Sequence, residues 1–166
     1  MARILVTYAS KKGSTTEIAQ AIAKELHAAG HVVDVTETGA VTSPAGYNAV
    51  VIGGPVYMGK MMGEVGKFVK RHYNELKDLP VAGFIVGLGT VSKDPTSIMN
   101  AEKVLMAALA PLQPVAVTAF SGRLDPQKLS WFQNWITKNV KSPVGDFRDW
   151  SAIAAWAKEL PGRMKV

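Results

Sequence analysis

Hydrophobic positions along the chain fall into two rhythms that take turns. Short runs of adjacent aliphatic residues mark the first, beginning at Arg3–Tyr8 with Ile4, Leu5 and Val6 side by side. Similar runs recur at Val32–Val35, Ala49–Ile52, Val81–Val86 and Val115–Phe120. A run that stays apolar instead of alternating predicts a strand buried on both faces. Between these runs the spacing changes to that of a helix with one packed face. Ile18, Ile22 and Leu26 recur every fourth residue with Ala19 and Ala29 beside them, and Gly30 stands where a helix C-terminal cap prefers glycine. Val65, Phe68, Val69 and Leu76 outline the next helix, and Ile98, Ala101, Leu105, Ala108 and Leu112 a further one. Asp94-Pro95 and Asp125-Pro126 each read as a capping residue followed by proline at the first helical position. The second of these opens a Trp-rich helix, Leu129–Val140. The last helix starts near Asp149 and buries Ile153, Trp156, Ala157 and Leu160.

Strands that alternate with helices predict an α/β fold whose parallel sheet is covered on both faces. The 166 residues contain no linker, repeat or low-complexity tract, so residues 1–166 are expected to form a single domain. In such sheets ligands sit outside the carboxyl ends of the strands, where the strand order reverses. Function is therefore to be sought in the loops after the first, third and fourth strands.

Composition narrows the chemistry. There is no cysteine, which excludes disulfides, thiolate catalysis and cysteine metal sites. Hydrophobic residues make up 48% and charged residues 19%, the balance of a globular protein. No run is long and apolar enough to span a bilayer, and the first strand begins almost at Met1, leaving no room for a leader; a cytoplasmic location is expected. The net charge of +6 favours anionic partners, although the lysines are scattered and the charge is equally consistent with a basic surface of no particular use.

The loop after the first strand, Ser10-Lys11-Lys12-Gly13-Ser14-Thr15-Thr16, joins a strand to a helix. It supplies four hydroxyls, a glycine for close backbone approach and the N–H groups of a helix N-terminus. That is an anion site, and phosphate suits it: helix dipole and amides attract the charge and hydroxyls donate to the oxygens. A simple cap by Ser14 or Thr15, with Glu17 helping, needs one hydroxyl rather than four. Two other nucleotide motifs fall short. Gly54–Lys60 starts like a P-loop, but Met61 stands where a metal-binding hydroxyl belongs, and Pro55 removes one cradle N–H. Gly87-Leu88-Gly89 half resembles a dinucleotide fingerprint, yet it lacks the third glycine and the acidic residue further on. The third-strand loop carries Tyr57 and Met58 between Pro55 and Gly59, and the fourth is glycine-rich around Leu88, Gly89 and Thr90. If these loops converge on the phosphate loop, a flat aromatic ring fits between them.

Taken together, Tyr8–Thr15 followed by Ile18 resembles the FMN-phosphate loop of the flavodoxin family. Ile52-Gly53-Gly54-Pro55-Val56-Tyr57-Met58-Gly59 resembles the family's second flavin loop, and Leu88–Val91 its third. The resemblance implies a flavodoxin-like three-layer sandwich with a five-stranded parallel sheet in the order 2-1-3-4-5, and FMN held noncovalently. On this likeness Ser10, Lys11, Lys12, Gly13, Ser14 and Thr15 hold the phosphate; Pro55, Val56, Tyr57, Met58 and Gly59 flank the flavin ring; and Leu88, Gly89 and Thr90 contribute backbone contacts. No side chain is singled out as catalytic, because the cofactor carries the redox chemistry.

Two departures shape the functional expectation. Flavodoxin carriers are usually acidic, whereas this chain is basic. It also carries an extra helical segment at about residues 123–141, followed by Gly145-Asp146-Phe147-Arg148-Asp149-Trp150. That arrangement is similar to the flavodoxin-domain branch that includes the menaquinone-dependent protoporphyrinogen oxidases. The branch implies an FMN-dependent oxidoreductase acting on a porphyrinogen with a quinone acceptor. The alternative is an electron carrier that serves a redox partner protein without turning over a small substrate. No nucleic-acid partner is expected. In the Trp-rich helix, Leu129, Phe132, Ile136 and Val140 share one face while Trp131 and Trp135 share another. A helix apolar on two faces needs two neighbours: the domain supplies one, and a homodimer mate, a membrane surface, a hydrophobic substrate or an overlying loop supplies the second. His27, His31 and His72 lie far from the expected site and read as surface histidines.

Overall fold

The computed structural model of the chain describes residues 1–10, 13–57, 60–87, 95–124, 145–146 and 148–166. Numbered in chain order, the first strands are β1 (Arg3–Tyr8), β2 (Val32–Glu37), β3 (Ala49–Tyr57) and the two-residue β4 (Lys60–Met61). They are followed by β5 (Val81–Val86), β6 (Ala116–Phe120), β7 (Arg123–Leu124) and β8 (Gly145–Asp146). The long strands form a parallel sheet in the order β2-β1-β3-β5-β6. Counting those strands alone, this is the 2-1-3-4-5 order expected from the sequence, with β4 added as an antiparallel partner at the end of β3.

The helices are α1 (Ser14–Ala28), α2 (Gly63–Arg71), α3 (Tyr73–Leu76), α4 (Pro95–Leu109) and α5 (Trp150–Met164). Successive strand residues point to opposite faces, so an uninterrupted apolar strand feeds two cores at once. Ile4, Val6 and Tyr8 of β1 pack with Ile18, Ile22 and Leu26 of α1 and with Ile153, Trp156 and Leu160 of α5. Leu5 of β1, with Val50 and Ile52 of β3, faces Val65, Phe68 and Val69 of α2 and Leu105 and Leu109 of α4. The result is a three-layer α/β sandwich.

Local signals held where they rest on backbone geometry. Gly30 is left-handed at φ 97°; its N–H donates to the His27 carbonyl at 2.9 Å, and the His31 N–H reaches the Leu26 carbonyl at 3.3 Å. This pair of bonds is the Schellman stop of α1. Asp149 caps α5, its carboxylate accepting the Ala152 N–H at 3.0 Å.

Several expectations need correction. The helix drawn from Val65 to Leu76 is two, because the backbone turns at His72 (φ −112°, ψ 19°) between α2 and α3. His72 is buried against Phe68 with ring centres 4.9 Å apart. His31 is buried too, and its Nδ1 accepts the Ala2 N–H at 3.0 Å. Both were read as surface residues; His27 is indeed exposed. Leu112 lies beyond the end of α4 yet remains buried. The third strand does not stop at Gly53-Gly54-Pro55 but continues to Tyr57. Asp94, Asp125-Pro126 and the Trp-rich segment with Trp131 and Trp135 lie outside the described residues; β7 and β8, paired antiparallel, flank that segment.

Candidate cofactor site

Parallel register brings the relevant loops to one edge of the sheet. Tyr8 at the end of β1 pairs with Gly53 of β3, and Pro55 of β3 pairs with Val86 at the end of β5. Beyond β1, the Ala9 N–H donates to the Gly53 carbonyl at 3.0 Å, so the chain enters the first loop already tied to the third strand. Beyond β5, the Gly87 N–H donates to the Phe120 carbonyl at 2.8 Å. The loops after β1, β3 and β5 therefore emerge side by side at the carboxyl edge, where β2 and β3 flank β1 and the winding reverses.

The first loop folds back on itself before the helix. The Ser10 hydroxyl accepts the Gly13 N–H at 3.1 Å. Gly13 is the N-terminal cap of α1 in a left-handed conformation (φ 84°, ψ −14°) and, being glycine, brings no capping side chain of its own. A side-chain oxygen would normally occupy the mouth of the helix. Here glycine holds that position, and Ser14 and Thr15 begin the helix instead of capping it. Thr15 is buried, while Ser14 and Thr16 are half-buried. The simple-cap alternative is thereby corrected. Glu17 does not close a capping box either: its N–H donates to the Gly13 carbonyl at 3.3 Å, and its carboxylate pairs with Arg148. Lys11 and Lys12 lie outside the described residues.

The second loop grows out of an unusually bare strand end. A Cβ on Gly53 would lie 2.0 Å from the Phe84 ring, and one on Gly54 would lie 3.0 Å from Val65. Packing thus leaves no room for a side chain at Gly53 and little at Gly54, one on each face of the sheet. Past them, Val56 pairs with Met61 and Tyr57 with Lys60, and the Met62 N–H closes onto the Pro55 carbonyl at 3.1 Å. The segment is a β-hairpin, not a phosphate cradle, because Gly54 and Pro55 are spent in the ladder with β5. Pro55 and Val56 are half-buried. Met58 and Gly59 at the tip, and Leu88, Gly89 and Thr90 after β5, lie outside the described residues.

Among the described residues the arrangement offers a helix N-terminus capped by glycine beside a β-hairpin and the end of β5. A helix N-terminus of this kind favours an anion. Among the described residues no group of acidic or histidine side chains could hold a metal ion. No helix among them is long and apolar enough to cross a membrane.

Residues 5–151 match the Flavodoxin domain family. The chain belongs to that family. Among curated proteins it is similar to protoporphyrinogen IX dehydrogenase [quinone] of Escherichia coli (strain K12), 26% identical over 95% of this chain and 94% of that protein. Among solved structures it resembles oxidised flavodoxin 1 from Bacillus cereus, with a TM-score of 0.63 and 11% identity over 97% of this chain and 98% of that one. A Fusobacterium nucleatum flavodoxin bound to flavin mononucleotide aligns with a TM-score of 0.50 and 16% identity, covering 72% of this chain and 69% of that one. Both structural likenesses speak for the flavodoxin fold. The expected family and fold are thus met.

One contact in this flavodoxin-domain chain was not legible in its sequence. Arg148, 131 residues from Glu17, reaches the first helical turn after the Ser10–Gly13 turn. Nothing in the local spacing of either residue announces the pair.

Proposed function

We propose that the protein is an FMN-dependent oxidoreductase of the protoporphyrinogen–quinone type. The observation that carries the reading is the convergence of the glycine-capped α1 N-terminus with the β3–β4 hairpin and the end of β5. The similarity to the E. coli dehydrogenase runs over nearly all of both chains, which favours the enzyme over a general carrier.

In this reading Ser10, Lys11, Lys12, Gly13, Ser14 and Thr15 bind the FMN phosphate. Gly13 keeps the helix mouth open and Ser10 fixes the turn that precedes it. Pro55, Val56, Tyr57, Met58 and Gly59 flank the flavin ring, and the backbone of Leu88, Gly89 and Thr90 bonds its polar edge. When bound, the flavin supplies two-electron redox chemistry. The protein's part is to hold the ring, exclude water from one side and accept a hydrogen bond from it at a backbone carbonyl of the hairpin. The positive net charge suits a substrate with carboxylates and disfavours the basic partners that acidic carriers serve. We place the protein in the cytoplasm, working against a membrane surface or as a homodimer through the Trp131/Trp135 segment, where a quinone is within reach.

A visible spectrum of the purified protein tests the cofactor; a colourless protein that takes up no FMN overturns it. Turnover of protoporphyrinogen IX with menadione tests the enzyme. A yellow protein that a reductase reduces, but that oxidises no porphyrinogen, leaves the carrier reading in its place.

A further inference from the structure

Two ion pairs tie α1 to α5 and to the segment that leads into it: Glu25 with Lys158 of α5, and Glu17 with Arg148, two residues before α5 begins. Residue numbers rise together along both pairs, so the helices run parallel. α1 follows β1 of the main sheet, and α5 packs beside it in the same direction, so both N-termini lie at the carboxyl edge. The segment that leads into α5 is therefore carried to the mouth of α1.

Arg148 is the residue that uses this placement. Its side chain is only 4% exposed. The guanidinium pairs with the Glu17 carboxylate and lies over the Trp150 ring, 4.6 Å from its centre. Asp149, between them, is fixed as the cap of α5. A planar cation held by an aromatic face and a carboxylate has little freedom to move away. Glu17 is the fourth residue of α1, about 4.5 Å along the axis from Ser14 at a rise of 1.5 Å per residue. Unaccompanied, a carboxylate there would repel a dianion at the helix mouth. With Arg148 on it, that repulsion is cancelled within one turn of the anion site.

We propose that Arg148 is a positioning residue for the phosphate: it sets the preference of the α1 mouth for a phosphate dianion over a neutral ligand. The inference rests on the phosphate reading of the Ser10–Thr15 loop. It makes the segment after β8, remote in sequence, part of the cofactor's electrostatic environment.

The test is a comparison of FMN with riboflavin, which carries the same ring without the phosphate. Dissociation constants are read from flavin fluorescence for the full chain and for Arg148→Gln, Arg148→Lys and Glu17→Gln. Arg148→Gln is expected to weaken FMN binding by a factor on the order of 10 to 100 and to leave riboflavin binding unchanged. Arg148→Lys keeps the charge and should restore much of the FMN preference. Glu17 is half exposed, so Glu17→Gln leaves the fold intact and should tighten FMN severalfold while leaving riboflavin alone. An FMN-to-riboflavin ratio that stays constant across the variants overturns the role of Arg148, as does a Glu17→Gln variant that binds FMN more weakly. A parent chain that binds riboflavin as tightly as FMN instead overturns the phosphate reading beneath it.

Discussion

Replacing Gly53 by alanine probes the floor of the site. Its Cβ would sit 2.0, 2.2 and 2.3 Å from three atoms of the Phe84 ring. Carbon atoms in contact prefer about 3.5–4.0 Å, so the ring must retreat by roughly 1.5 Å. It has nowhere easy to go: Phe84 is fully buried, with the Phe120 ring centre at 6.2 Å and the Trp156 ring centre at 6.3 Å. Overpacking of this kind costs about 1–3 kcal/mol, and alanine's advantage over glycine in an extended strand returns about 0.5–1 kcal/mol. The severe overlap puts the clash at the upper end, for a net loss of about 2 kcal/mol. Urea unfolding of the protein measures it; at this chain length the melting temperature should fall by roughly 4–8 °C. Phe84→Leu opens the space the new methyl needs, so Gly53→Ala in that background should cost at least about 1 kcal/mol less. Because the Gly53 carbonyl accepts the Ala9 N–H, the shift should also weaken FMN binding. A Gly53→Ala protein as stable as the parent, or one whose loss is the same with Phe84→Leu, would refute the packing argument.

Three further outcomes follow from local geometry. Gly13→Ala forces a Cβ into the left-handed region at φ 84° and should cost about 1–2 kcal/mol in denaturant melts, whereas Gly13→Asn should cost less. Asp149→Ala removes the cap of α5 and should lower stability by about 1 kcal/mol, read by thermal unfolding followed by far-UV dichroism. Burial raises the Tyr47 phenol above its ordinary value, and the 2.7 Å hydrogen bond to Asp34 adds to the effect. A raised phenol pKa stabilises the fold fully below about pH 10 and loses that contribution as pH climbs through the folded value. Tyr47→Phe should therefore cost about 1 kcal/mol at neutral pH, and the gap to the parent should close in alkaline denaturation series.

The left-handed stop at Gly30 and the start of α5 at Asp149 were legible because each depends on neighbours within a few residues. Backbone conformation and capping are local, and local physics leaves a local signature. The same holds for the strands, whose two-sided burial makes them apolar without alternation. His31 went the other way. Whether His31 faces water depends on a distant segment, and Ala2 reaches it only once β1 and β2 are paired. The extension of β3 to Tyr57 was likewise decided by its pairing partner, the return of the chain through Lys60 and Met61. The sequence by itself determined the fold class, the strand–helix alternation and a hydroxyl-rich loop before the first helix. Only the tertiary structure placed Arg148 on that helix's first turn: the parallel packing of α1 against α5 joins residues 131 apart, and no periodicity along the chain encodes a contact made across two helices.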